Sequence, residues 1–300
     1  MRELVINGRR IADEEPCYVI AELGHNHGGS VDTARQMIRA AAEAGADAVK
    51  FQKRENATLY SQRLLDAPYE NENSYGKTYG EHRAYLEFTA EHYGACRAAA
   101  QLHDITWFAT AFDEASVDFL MLAGVPALKI ASGGLTDHAL LRYAAMMGVP
   151  VILSTGGGTL ADIRKAVDSL GDCPHAILHC TAAYPLDPRE ANLRVIGTLR
   201  QEYPNTVIGW SSHHPGIAFS LVAYAFGARI IEHHFTMNRA SKGTDHAFSL
   251  EPKGLQTLVE DLEKVRQAIG DGVKVFYDSE RKPIARMRRV RTAEGMRIVG

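Results

Sequence analysis

Three hundred residues, 46% hydrophobic and 23% charged, can bury the core of one barrel of roughly 250 residues with insertions. The formal net charge of -3 excludes a general nucleic-acid binder, whose footprint is basic, and no apolar run approaches the ~20 residues that cross a bilayer. Cys17, Cys96, Cys173 and Cys180 form no CxxC pair, and the start Met-Arg-Glu-Leu carries no export signal, so neither a zinc knuckle nor a disulfide framework is expected and the expected compartment is the cytoplasm.

The first dozen residues read as a hairpin, 4–6 and 9–11 around Asn7-Gly8, positioned to plug a barrel bottom. Eight short apolar runs follow, at residues 18–22, 48–52, 106–110, 127–131, 151–154, 176–179, 207–210 and 229–233. Near-continuous apolar strands suit a parallel sheet covered on both faces. Between them, 31–44, 116–123, 139–147 and 217–226 carry helical spacing and stop at Gly45, Gly124, Gly148 and Gly227, and 254–269 closes the series. The expected fold is α/β, a (β/α)8 TIM barrel over residues 1–280 with a short N-terminal hairpin, followed by a basic, solvated C-terminal tail over 281–300. A doubly wound sheet is the rival, but Gly24-His25-Asn26-His27-Gly28-Gly29 after the first strand lacks the GxGxxG order of a dinucleotide turn. The long connection from Arg54 to Glu81 leaves the second strand at its C-terminal end and reads as a lid.

Ionisable and hydroxyl residues gather at the C-terminal end of nearly every strand, where barrel chemistry is assembled. They are Glu22, Lys50 and Gln52, Thr110, Lys129 and Ser132, Ser154, His179, Ser211 and His213, and Glu232 and His234. Lys50 and Lys129 each interrupt an apolar strand, which is costly unless the ammonium meets an anion or a carboxylate. One reading is a structural pair with Glu22 or Glu232. The other is a two-lysine cradle for a phosphate or carboxylate, helped by the hydroxyls of Thr110, Ser132, Ser154 and Ser211 and by backbone donors of residues 154–158. His213 and His234 end the last two strands, and a two-His site completed by oxygen ligands suits a divalent metal acting as Lewis acid. His214, His233 and His246 are neighbours that compete for this assignment, with alternation turning His214 and His233 away from the barrel axis. Asp245 and Tyr184 lie in loops over the same mouth.

The motifs IAELGHNHGGS, AGADAVKFQ, KIASG, ILSTGG, LHCTAAYP, IGWSSHHP and EHHFT…GTDHAFSLEP, in this order over about residues 15 to 275, together resemble the sialic acid (N-acetylneuraminate) synthase family. The resemblance implies a transferase that condenses phosphoenolpyruvate (PEP) with an aldehyde sugar or sugar-like acceptor, giving a 2-keto-3-deoxy acid and phosphate. It implies a PEP pocket of Lys50, Thr110, Lys129, Ser132, Ser154 and Ser211, a Mn2+ or Mg2+ ion on His213 and His234, and acceptor contacts from Glu22, Tyr184 and Asp245. The catalytic set is then Glu22, Lys50, Lys129, His213 and His234. The pattern departs from the family at Gly134, where an acidic residue normally follows Ser-Gly, at Ala182 in place of Asn, and at Ser212 in place of Asp. Asp137 and Glu22 are the candidates to replace the missing acid. The antifreeze-like C-terminal domain that many relatives carry is not expected here, which leaves the acceptor, and a homodimer, open. Two alternatives remain: a PEP-binding homologue without catalysis, and a metal-dependent barrel hydrolase or aldolase. Neither a nucleic acid nor a membrane is an expected partner.

Overall fold

Asn7 and Gly8 both take positive φ, 49° and 77°, the tight turn whose twist matches that of its flanking strands. They join an antiparallel pair, Glu3–Ile6 with Arg9–Ala12. Leu4, Ile6 and Ile11 enter the core, and Asn7 Nδ2 donates to Thr106 Oγ1 at 3.2 Å, at the N-terminal end of a barrel strand. The hairpin therefore covers the barrel bottom, as its sequence position implies. The computed structural model describes residues 2–293 and 295–298, in two units that divide between Val265 and Arg266.

The first unit is a closed barrel of eight parallel strands, which excludes the doubly wound rival. The strands are β1 (Tyr18–Gly24), β2 (Ala48–Lys53), β3 (Thr106–Ala111), β4 (Leu128–Ile130), β5 (Val151–Ser154), β6 (His175–Cys180), β7 (Val207–Ser212) and β8 (Ile230–His234). Closure is made by β8 on β1, from Ile230 opposite Tyr18 to His234 opposite Glu22. Outside them run α1 (Val31–Glu43), α2 (Ala90–Leu102), α3 (Glu114–Ala123), α4 (His138–Ala145), α5 (Leu160–Leu170), α6 (Val195–Glu202), α7 (Ala218–Ala225) and α8 (Pro252–Ile269). All eight strands fall where the apolar runs predict. Helices α2, α5 and α6 lie outside the helical segments read from the sequence, although α5 buries Ile163, Ala166 and Leu170 and α6 buries Ile196 and Leu199 at helical spacing. In α2 alanines occupy both faces, so its buried set of Tyr93, Cys96, Ala99 and Ala100 is masked.

The connection after β2 is not structureless. It forms short helices at Asn56–Leu59 and Gln62–Leu65 and a longer one at Tyr79–Leu86, the last opened by a capping box of Thr78 and Glu81. Tyr75 Oη donates to Lys242 O at 2.6 Å and Gly243 N donates to Asn73 Oδ1 at 3.0 Å, which fastens this segment to the loop after β8. In the second unit, the basic stretch expected as a tail includes a helix, Arg281–Met287, and an antiparallel hairpin, Arg289–Thr292 with Gly295–Ile298. No helix among the described residues is long and apolar enough to cross a membrane.

Candidate active site

Side chains alternate along a strand, so β2 sends Lys50 and Gln52 to the barrel interior and Phe51 outward against Tyr93, with ring centroids 5.9 Å apart. The same alternation aims Glu22, Thr110, Lys129, Ser154, Ser211, Glu232 and His234 inward. All of the residues singled out for the site line one cavity of about 600 Å³ at the C-terminal ends of the strands. These are Glu22, Lys50, Thr110, Lys129, Ser132, Ser154, Tyr184, Ser211, His213, His234 and Asp245. Gly24 turns the chain out of β1 at φ 52°; a Cβ there would meet Glu22 Oε1 and Gln52 Nε2 at 3.3 Å.

At the cavity floor two lysines and two carboxylates interlock. Lys50 Nζ lies 2.6 Å from Glu22 Oε2 and 3.7 Å from Glu232 Oε1, and donates to Thr110 Oγ1 at 2.8 Å. Lys129 Nζ lies 3.8 Å from Glu232 Oε1 and donates to Ser154 Oγ at 2.7 Å. Ser211 Oγ donates to the same Glu232 oxygen at 3.1 Å. The structural pairing of the strand lysines therefore holds, and both ammonium groups also line the cavity. The two carboxyls are driven apart. Burial holds Glu22 above the usual carboxylate range despite Lys50. Burial also pushes Glu232 up, but Lys129, Lys50 and His234 outweigh it and keep that carboxylate ionised. Such a split separates a proton-holding group from a fixed counter-charge.

On one side of this cradle the imidazoles of His213 and His234 face each other, ring centroids 5.4 Å apart. His213 Nδ1 donates to Thr181 O at 2.9 Å, which fixes the tautomer and leaves Nε2 with a free lone pair. His234 Nδ1 is buried with no hydrogen-bond partner, 3.7 Å from Asp245 Oδ2. Burial pushes both imidazoles down, His213 to about 4, so both are neutral, as a metal ligand must be. The donor set thus fits a divalent metal. No group of three or more His, Cys, Asp or Glu able to hold an ion is gathered among the described residues, so an ion on these two imidazoles would need further ligands from elsewhere. The Tyr184 ring lies 4.1 Å from that of His213, tilted by 41°.

The competing histidines are placed elsewhere. His233 faces Gly216 O at 3.3 Å, His214 stacks on Phe219 at 4.0 Å, and His246 Nδ1 meets Thr236 Oγ1 at 2.7 Å. His179, also at a strand end, points away and binds Ala191 O at 2.9 Å. Two further expectations are corrected. The backbone of residues 154–158 is no anion seat: Gly156 N is taken by Ser132 Oγ at 3.0 Å and Gly158 N by Thr155 O at 3.2 Å. Asp137 cannot replace the missing acid, because it caps α4 by accepting from Leu140 N at 3.0 Å, outside the cavity. At Gly134 a Cβ would lie 2.8 Å from Ile130 Cγ2, so this turn has closed over the space a side chain would need.

The sequence reading missed the outer wall. Arg54, His25, Arg83 and Asn73 also line the cavity. Gln52 Nε2 donates to Glu22 Oε1 at 2.7 Å, and Arg54 Nη2 donates to Gln52 Oε1 at 2.7 Å. Alternation beyond Lys50 and Gln52 is a signal that could have found Arg54. Nothing local announces Arg83, which arrives on the helix Tyr79–Leu86.

Comparison with known proteins agrees with this geometry. The NeuB family description matches residues 37–274. N-acetylneuraminate-9-phosphate synthase of Mus musculus is 40% identical over 276 residues, 91% of this chain and 77% of that protein. N,N'-diacetyllegionaminic acid synthase of Legionella pneumophila is 36% identical over 273 residues, 88% of this chain and 76% of that protein. A crystal structure of the N-acetylneuraminic acid synthetase of Leptospira borgpetersenii, in complex with citrate, matches with TM-score 0.82 at 34% identity, covering 94% of this chain and 95% of that one. With the barrel, the order of its motifs and these relatives in agreement, the chain belongs to the NeuB family.

Proposed function

We propose that this chain is a carbon–carbon bond-forming transferase that condenses PEP with an aldehyde sugar or sugar-like acceptor, giving a 2-keto-3-deoxy acid and phosphate. The observation that carries the reading is the buried Lys50–Glu22–Glu232–Lys129 cradle opening into the same cavity as two neutral imidazoles. Lys50 and Lys129 bind the anionic ends of PEP, with Thr110, Ser132, Ser154 and Ser211 as directional hydroxyl partners. Carbon 3 of PEP attacks the aldehyde carbon, water adds at carbon 2, and the tetrahedral intermediate expels phosphate by C–O cleavage. A Mn2+ or Mg2+ ion held by His213 and His234 would supply Lewis-acid polarisation of the aldehyde oxygen. Glu22, whose carboxyl burial pushes above its ordinary range, is the group placed to supply the proton that the new hydroxyl at carbon 4 requires. Tyr184 and Asp245 orient the acceptor from the mouth, and the segment between Arg54 and Glu81 excludes stray water.

The non-catalytic alternative drew its force from Gly134. It loses that force because two carboxylates already line the cavity. By their names, the mouse and Legionella relatives make a phosphorylated and an unphosphorylated sugar acid, so the state of the acceptor does not carry over from them. The cytoplasm is the proposed compartment, in keeping with four free cysteines. Phosphate release from PEP should require a sugar aldehyde, stop with chelator and return with Mn2+ or Mg2+. Release that ignores the aldehyde, or an aldehyde reaction that ignores PEP, would defeat the reading.

A further inference from the structure

The outer wall holds two guanidiniums that no described carboxylate pairs with directly. Arg54 is buried, its guanidinium 3.7 Å over the Phe112 ring, and its Nε has no hydrogen-bond partner. Arg83 reaches the same cavity from the helix Tyr79–Leu86. Among the described residues no carboxylate lies within 4 Å of either guanidinium. Between them stands His25, with Nε2 3.1 Å from Arg54 Nη1 and Nδ1 3.4 Å from Arg83 Nη1. Burial and the two guanidiniums hold His25 neutral. A neutral imidazole has one lone pair, so it accepts from only one of them, and the other contact sets N–H against N–H. Two facing cations around a half-satisfied imidazole leave donors for an anion.

This pair is separate from the floor, where Lys50 and Lys129 already have Glu22 and Glu232. The Glu22 and Gln52 side chains stand between Lys50 and Arg54. His213 and His234 line the same cavity as this wall, so one acceptor can reach both. We propose that Arg54 and Arg83 form a second anion subsite, which takes a phosphate at the end of the acceptor sugar remote from its aldehyde. A phosphomonoester dianion matches both charges and offers oxygens to both guanidiniums. The inference rests on the synthase reading for the placement of the acceptor.

The probe is a pair of alditols, the reduced acceptor with and without its terminal phosphate, neither of which has an aldehyde to react. Calorimetry on the intact protein should show the phosphorylated alditol binding about 100-fold more tightly. Arg83→Gln should remove about tenfold or more of that preference, and Arg83→Lys should restore part of it. Equal affinities for the two alditols, an equal gain from a terminal carboxylate, or a variant whose loss falls on PEP instead would each overturn the subsite. The wild-type comparison needs no variant and so survives any folding defect. Turnover separates the two readings. PEP consumed with equal efficiency on both acceptors defeats the subsite alone. No PEP consumption with either, alongside a retained phosphate preference in binding, defeats the synthase reading and leaves the subsite standing.

Discussion

The floor and the outer wall of the cavity are both cationic, but only the floor carries its own neutralisation. Lys50 and Lys129 rise from barrel strands and meet Glu22 and Glu232 within 4 Å. Arg54 and Arg83 sit just past a strand and on the helix Tyr79–Leu86, with an imidazole between them in place of a carboxylate. A fully buried ammonium must be paired for the barrel to fold at all, whereas a wall built on connecting segments can leave its charge for a ligand. The difference teaches that burial alone does not identify a binding group: the paired charges serve the fold and the chemistry together, and the unpaired ones point to what the cavity receives.

The sharpest way to break this comparison is Lys129→Met. Removing a buried cation from beside Glu232 should cost about 3–5 kcal/mol in urea unfolding and abolish PEP binding by calorimetry. Arg83→Gln, which strands no carboxylate, should change stability by no more than about 0.5 kcal/mol. Equal losses in the two variants would erase the distinction. Next in size is Glu22→Gln, which keeps the shape of the cradle but removes the proton-holding group. Single-turnover PEP consumption should slow about 10²–10⁴-fold while PEP still binds. Because burial holds the Glu22 carboxyl above its ordinary range, its share of stability is complete at low pH and fades as pH rises through the raised value. The Gln variant should therefore show a flatter dependence of Tm on pH; an unchanged slope would assign the fade to another group. Smallest is Tyr75→Phe, which deletes the bond from the lid to Lys242 O. A loss of about 0.5–1.5 kcal/mol in closure should appear as a several-fold rise in acceptor KM. A rise confined to the KM for PEP would place the latch over the wrong end of the cavity.

The floor was legible because a lysine inside an apolar strand is an expensive exception that needs a partner, and the period of two says which way it points. Glu22 and Glu232 were legible as those partners for the same reason. The pairing of His213 with His234 was also within reach, since adjacent strand ends converge in any barrel. Backbone donors were misread at residues 154–158: a glycine-rich turn suggests an anion seat, but here Ser132 packs into it and takes the amide. Asp137 was misread because helix capping and catalysis draw on the same residue types.

By itself the sequence determined the alternation of apolar runs and helical segments, and with it a parallel barrel, its polar end and the inward residues of each strand. These follow from local periodicity and from the cost of burying charge, both of which are written residue by residue. Only the tertiary structure decided that burial pushes Glu22 up while two lysines hold Glu232 down, that Gly134 has no room for an acid, and that Arg83 meets Arg54 across His25. Those outcomes depend on distances between residues far apart in the chain, and loop closure, not periodicity, sets such distances.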